Sequence, residues 1–218
     1  MKRIVCITAL CFASLQPAAF ASGNHNLTKA LRGDYAFSGD GACLQSNQEW
    51  LNGFRTPDGG FTRSHSVRGV RHFNGDGTGT ATGRSLSMGL NGFTGHPSAY
   101  GPYFTSDFTA NFTYTVDADR TIHIVNGPLI FTQFEGPNPG PSGVWTGIEI
   151  IGKISQDYKT LVVGTPKTSI LEIHYPTLAD AQNGTNADQW RHSHRSRTMI
   201  RISDGEEKHE RSSSRFPF

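Results

Sequence analysis

The stretch DFTANFTYTVD, residues 107–117, alternates strictly between apolar and polar side chains. In a β-strand successive side chains point to opposite faces of the sheet, so this alternation predicts a strand with one buried face. Each large apolar side chain buried on that face contributes roughly 1.5–3 kcal/mol. The apolar set consists of Phe108, Ala110, Phe112, Tyr114 and Val116. The stretch therefore predicts a sheet with an aromatic inner face.

The rest of the chain has the same character. It contains 25 glycines in 218 residues, where the usual frequency of roughly 7% would give about 15. Turn signals such as residues 74–77 (NGDG) separate nine or ten short alternating segments, and there is no internal repeat. This pattern favours an all-β fold, an antiparallel meander β-barrel of about 8–10 strands, over the alternative of a β-sandwich. Closing the barrel removes the exposed strand edges that a soluble sheet must otherwise protect.

The two ends of the chain differ from this β-rich region. Residues 1–21 have a basic start at Lys2 and Arg3, an apolar run, and a small-x-small site ending at Ala21, which together predict a secretory signal peptide. The run is too short for a membrane-spanning helix. Residues 22–202 are expected to form one barrel domain, and residues 203–218 a disordered polar tail. The protein is therefore predicted to be exported, to the periplasm or the extracellular space, with no membrane span.

Charge and cysteine content narrow the possible partners. Removal of residues 1–21 lowers Lys plus Arg from 20 to 18, which equals the 18 Asp plus Glu, so no global charge favours nucleic acid. Cys43 is then the one cysteine left, and it cannot form an internal disulfide. Burial as a small hydrophobic residue is favoured over an intermolecular bond. The sequence does not specify an oligomeric state.

Gly33-Asp34-Tyr35 resembles the opening strand of the calycin barrels, the lipocalin and avidin-like proteins, which begin with Gly, any residue and an aromatic residue. The phrases YAFSGDG, FNGDGTGTATG and GKISQDYKTLVV are also similar to barrels of the allene-oxide-cyclase kind and to small secreted bacterial proteins of unassigned function. Tyr35 stands where lipocalins usually have Trp. The resemblance implies that a basic residue of the last strand, Arg197 or Arg201, packs across Tyr35.

The inner face of the predicted barrel is the candidate binding site. Barrels of about eight strands can hold one small ligand, so an aromatic lining favours a small apolar or amphipathic partner. The candidate ligand-binding residues are Tyr35, Phe37, Phe108, Phe112, Tyr114 and Glu149. Two alternatives remain open: an isomerase or cyclase acting in the same cavity with an inward Glu149, His72 or His174, or a structural module whose barrel is filled by side chains.

Other polar features predict no further chemistry. His192 and His194 lie two residues apart, but flanking arginines repel a cation and no acid or Cys has ligand spacing, so no metal and no cofactor is predicted. Glu172 and His174 alternate with apolar Leu171 and Ile173, which predicts that both face outward. The basic residues from 191 onward are interpreted as a solvated chain end. The Gly-rich segment 89–103 is either a lid or a flexible insertion.

Overall fold

The computed structural model describes residues 25–46, 49, 61–90, 103–136, 139–167 and 170–204. Within these ranges most of the chain is β-structure, as predicted. The strands are β1 (Arg32–Ser46), β2 (Phe61–Asn74), β3 (Thr78–Leu90), β4 (Tyr103–Val116), β5 (Thr121–Asn126), β6 (Leu129–Glu135), β7 (Gly140–Thr146), β8 (Glu149–Ile154), β9 (Thr160–Gly164), β10 (Ile170–Tyr175) and β11 (Gln189–Arg201). Two short helices are α1 (His25–Ala30) and α2 (Leu178–Asn183).

All eleven strands belong to one antiparallel sheet that closes on itself, because β1 pairs with both β2 and β11. Six of the shorter strands form three pairs. The two strands of each pair lie end to end and together occupy one position in the ring. β5 and β6 both lie along β4, β8 and β7 follow next, and β9 and β10 both lie along β11. The sheet is thus an eight-membered up-and-down meander barrel, which confirms the predicted fold class.

Each of the three pairs is interrupted halfway along the barrel. Pro128 follows β5 and Pro166 follows β9, and proline has no N–H to donate to a ladder. Gly147, between β7 and β8, has a φ of 78°, a left-handed conformation that favours glycine. β5 and β6 therefore run on along the same neighbour, β4, with no reversal of the chain at Asn126-Gly127.

These interruptions divide the barrel into two halves with different interiors. The aromatic half, bounded by β5, β8 and β9, is filled with buried side chains. Phe73 is at its centre, with its ring centroid 5.2 Å from Tyr35, 5.1 Å from Phe112 and 4.9 Å from Tyr114. The polar half, bounded by β6, β7 and β10, buries arginine, glutamate, glutamine and serine side chains instead.

Helix α1 and the chain after it lie at the end of the aromatic half. Tyr114 Oη lies 2.8 Å from the Leu31 carbonyl oxygen, to which it donates, and it accepts from the Gly75 N–H at 3.1 Å. Leu31 itself is fully buried. Helix α1 and Leu31 thus cover the aromatic interior at this end of the barrel.

Several smaller predictions can be compared with the structure. Cys43 is buried, as favoured. Helix α2 is capped by the Thr177 side chain and is followed by Gly184 in a left-handed conformation. In the β1–β11 register Tyr35 is paired with Arg201 rather than Arg197. The signal peptide, most of the segment 89–103 and the tail beyond Asp204 lie outside the described residues, so those predictions stay predictions.

Candidate functional site

The polar half contains a cavity of about 70 Å³. One buried water needs roughly 10–15 Å³, so the cavity has room for a small polyatomic group. Its lining combines basic, neutral polar and aromatic side chains. The lining residues include Arg63, His65, Ser85, Ser87, Phe104, Ser106, Phe108, Phe131, Gln133, Trp145, His174, Gln189, Arg191, Arg195 and Arg197.

Strand β11 supplies three arginines to this interior. Arg191, Arg195 and Arg197 lie at odd positions of the strand, on the same face as fully buried Met199. Register pairs Arg197 with Gly39 and Arg195 with Gly41 on β1. A Cβ atom at Gly39 would lie 2.6 Å from Cγ of Arg197, so only glycine leaves room for this side chain. The inward glycines of β1 are therefore matched to the inward arginines of β11.

One carboxylate is buried among these arginines. Glu172 of β10 has no exposed surface, and its Oε2 accepts from Nε of Arg191 at 2.6 Å. Its Oε1 accepts from Nη2 of Arg195. Charge-assisted hydrogen bonds of this kind hold both guanidinium groups in place. The register explains the contact with Arg191, since Glu172 is paired directly with it across β10 and β11.

Strand β2 contributes two more arginines, held by amide, hydroxyl and aromatic groups. Arg71 donates from Nη2 to Oδ1 of Asn126 at 2.7 Å, and its guanidinium lies 4.6 Å from the centroid of the Phe112 ring. Arg63 donates from Nη1 to Oγ of Ser87 at 3.3 Å and lies over the Phe104 ring. Both side chains are almost completely buried. Cation–π contacts supply attraction without neutralising the charge.

Burial and the mutual repulsion of these positive charges lower the pKa values of His65 and Arg197. Burial, followed by the charges of Arg191, Arg195 and Arg197, lowers the pKa of His65 to about 2. Burial and the charge of Arg191 lower the pKa of Arg197 to about 10, so its guanidinium is still protonated at neutral pH. The interior of the polar half is therefore cationic, with His65 as a neutral imidazole.

His174 occupies the edge of the cavity. Its Nδ1 lies 2.5 Å from Oδ1 of Asp188, and its Nε2 lies 2.8 Å from the carbonyl oxygen of Ser142. The two ring nitrogens therefore face oxygens of Asp188 and of the Ser142 backbone. The approach depends on Gly143, where a Cβ would lie 2.2 Å from Nε2 of His174 and where φ is +93°. The ring also packs 5.0 Å from Trp145.

The predicted ligand-binding residues separate into three groups. Phe108 lines the cavity. Tyr35, Phe37, Phe112 and Tyr114 are buried, as their alternation predicts, and each of these four rings packs against another aromatic ring of the core. Glu149 as an interior residue is wrong: it is exposed on the outer face, because Ile148 and Ile150 occupy the inner one. A ligand-contacting role for the inward aromatic residues remains a prediction.

Sequence reasoning missed the charged residues of the site. Glu172 and His174 face inward, so their predicted outward orientation is wrong; Leu171 is exposed instead. Arg191, Arg195 and Arg197 belong to the barrel wall rather than to a solvated end. His194 is exposed and lies 3.2 Å from Thr165 Oγ1. Over the described ranges no cluster of three His, Cys, Asp or Glu side chains is placed to hold a metal ion.

Comparison with known proteins does not assign the chain to a family. No protein-family model and no curated protein matches the chain. The crystal structure of Neisserial surface protein A is similar with a TM-score of 0.48 and 7% sequence identity, covering 78% of this chain and 97% of that one. No helix in the described part of the chain has the length and apolar character needed to cross a membrane.

Proposed function

We propose that the chain is an exported binding protein that holds a small amphipathic ligand in the polar half of its barrel. The observation that supports this most directly is the contrast between the two halves. The aromatic half is packed with side chains, whereas the polar half encloses a cavity lined by both charged and aromatic groups. Small-molecule sites typically combine an apolar lining with a few convergent polar groups.

The lining favours an amphipathic ligand over a purely apolar one. Phe108, Phe131 and Trp145 offer apolar surface, while Arg195 and Arg197 lie in the same wall. An apolar ligand would leave the arginine N–H groups without acceptors, which is costly inside a protein. The volume of about 70 Å³ suits one small molecule or the polar end of a larger one.

The outer face carries exposed apolar side chains, such as Met88 and Val162, as well as charged and polar ones, and the charged and polar ones support the proposal that the protein works in water, in the periplasm or outside the cell. Arg84 and Asp107 face outward near the middle of β3 and β4 and form an ion pair with Nε and Oδ1 2.8 Å apart. Exposed Thr82 and Thr109 are paired beside them. A lipid-facing band would require apolar side chains at these positions. Kinship with calycins remains a prediction of the sequence resemblance.

The binding proposal can be tested by filling the cavity. Ser85→Leu places a larger side chain on the inner face of β3, and Thr82→Leu makes a comparable change on its outer face. Native mass spectrometry and thermal unfolding of the chain from residue 22, against a panel of small neutral and charged amphiphiles, should show binding to the wild type and to Thr82→Leu. Binding should be lost, by at least about tenfold in affinity, in Ser85→Leu.

Two results would contradict the proposal. A wild-type protein that binds no member of the panel would favour the structural alternative, a barrel that acts through its outer surface. Equal binding to the wild type and Ser85→Leu would place the ligand elsewhere.

The isomerase or cyclase alternative now depends on one residue. That alternative requires an inward Glu149, His72 or His174, and of these three only His174 faces inward. Glu149 is exposed, and His72 is half-exposed and hydrogen-bonded to Asp34.

A further inference from the structure

Positive charge in the polar half exceeds the negative charge buried with it. Four arginines line the cavity, and among the described lining residues none is Asp or Glu. Glu172, just behind the lining, contacts Arg191 and Arg195. Leaving Arg63 aside, the other three arginines carry three positive charges and Glu172 neutralises one of them, so an excess of two remains among these residues. Buried ions are costly unless they are paired, so such an excess indicates a site for negative charge.

Several buried hydrogen-bond donors of the cavity residues also lack acceptors. Nε of Arg195 and Nε of Arg197 are buried and have no acceptor among the described residues, and both side chains are at least nine-tenths buried. Ser106 Oγ and Nε2 of Gln133 line the same cavity and also lack a partner there. Each of these four atoms carries a hydrogen that it can donate. The cavity therefore presents several donors to a group that supplies acceptors.

We propose that the cavity is an oxyanion site, which takes the carboxylate, phosphate or sulfate group of the ligand between Arg195, Arg197 and the donors opposite them. The inference rests on the proposed binding function and names the chemical class of its ligand. Guanidinium groups match the planar or tetrahedral oxygens of such anions with paired N–H donors. The volume of about 70 Å³ admits one such group.

Glu172 has a positioning role in this site. It accepts from Nε of Arg191 and from Nη2 of Arg195, which fixes the planes of both guanidinium groups. Nε of Arg195 has no acceptor among the described residues.

The test compares anions with neutral molecules of similar shape. Sodium sulfate, sodium phosphate and sodium benzoate are titrated into the chain from residue 22 by calorimetry and thermal unfolding, with sodium chloride at matched ionic strength and benzyl alcohol as the neutral probe. Arg197→Met removes one cavity charge, and Arg84→Met is the matched control on the outer face. Sulfate also stabilises proteins non-specifically by exclusion from their surface, and that part is common to all variants.

We expect saturable binding of at least one oxyanion by the wild type and by Arg84→Met, and at least tenfold weaker binding by Arg197→Met. Arg197→Met should also unfold at a higher temperature than the wild type in chloride, because it removes an unpaired buried charge. If that variant does not fold, Arg197→Lys keeps the charge without the paired donors and should bind the anion several-fold more weakly.

The outcomes separate this inference from the proposed function. Binding of benzyl alcohol that equals or exceeds binding of benzoate and the inorganic anions would overturn the oxyanion site and leave a binding barrel. No binding of any probe would count against both. Anion binding that is unchanged by Arg197→Met and Arg197→Lys would place the anion outside the cavity and overturn the assignment.

Discussion

At the scale of single residues, His65 shows how the charge of the polar half acts on one side chain. Its pKa is lowered to about 2 in the folded protein, first by burial and then by three arginines of β11. In the unfolded chain a histidine has a pKa of about 6.5. Below that pH the unfolded state binds a proton at His65 and the folded state does not. The free energy of unfolding therefore falls as the pH falls.

His65→Gln should therefore change the pH dependence of unfolding. Between pH 7 and pH 5 the wild type should lose about 2 kcal/mol more of its free energy of unfolding than the variant does. Urea denaturation at a series of pH values measures the difference. Above about pH 8 the two proteins should differ by a constant amount. Parallel curves over the whole range would show that His65 takes up a proton in the folded protein as readily as in the unfolded one.

At the scale of elements, β3 and β4 fit together by size. The inner face of β3 carries Gly79, Ala81 and Gly83, and these are paired with Phe112, Ala110 and Phe108 of β4. A Cβ at Gly83 would lie 2.7 Å from Cζ of Phe108 and 2.5 Å from the carbonyl oxygen of Arg68. The small residues of one strand thus make space for the rings of the next.

Gly83→Val should accordingly destabilise the barrel. Overpacking of this kind costs typically about 1–3 kcal/mol, and here the backbone of β2 must move as well. Thr82→Val changes the adjacent, outward side chain and should alter the free energy of unfolding by less than about 0.5 kcal/mol. Chemical denaturation of both variants tests the comparison. Equal stability of Gly83→Val and the wild type would mean that the β3–β4 fit is loose.

The same two strands show why part of the fold follows from the sequence. In β4 the apolar side chains share one parity, and a period-two pattern places them inside without ambiguity. In β11 the rule fails. Ile200 has an even number and is exposed, whereas Arg195 and Arg197 share the odd parity of buried Met199. Hydrophobic alternation assumes an apolar interior, and the polar half does not have one.

The candidate site was missed for this reason. The sequence holds one indication of it: Gly39 and Gly41 have the inward parity of Tyr35 and Phe37, so the inner face of β1 has no side chains there. Space of this kind must be filled from another strand. Which strand fills it depends on the β1–β11 register, which pairs Gly39 and Gly41 with residues more than 150 positions further along the chain.

At the scale of the whole molecule, the aromatic half of the barrel stabilises the fold and the polar half forms the proposed binding site. The aromatic half buries apolar side chains and closes one end of the barrel. The polar half buries charges, which opposes folding unless those charges are paired. The shared long strands β1, β2, β3, β4 and β11 connect the two halves, so stability gained in one half supports a less stable binding site in the other.

This division predicts uneven hydrogen exchange. Amides of β7 and β10, around the cavity, should exchange faster than amides of β5 and β8, which enclose the aromatic half, because local opening is easier where fewer apolar contacts are lost. Saturating sulfate should slow exchange in β7 and β10 and leave β5 and β8 nearly unchanged, since a ligand stabilises the part that it binds. Hydrogen-exchange mass spectrometry resolves these segments, with β5 and β8 as the internal control. Uniform exchange in all four strands, or equal protection of all four by sulfate, would mean that the barrel opens as a single unit.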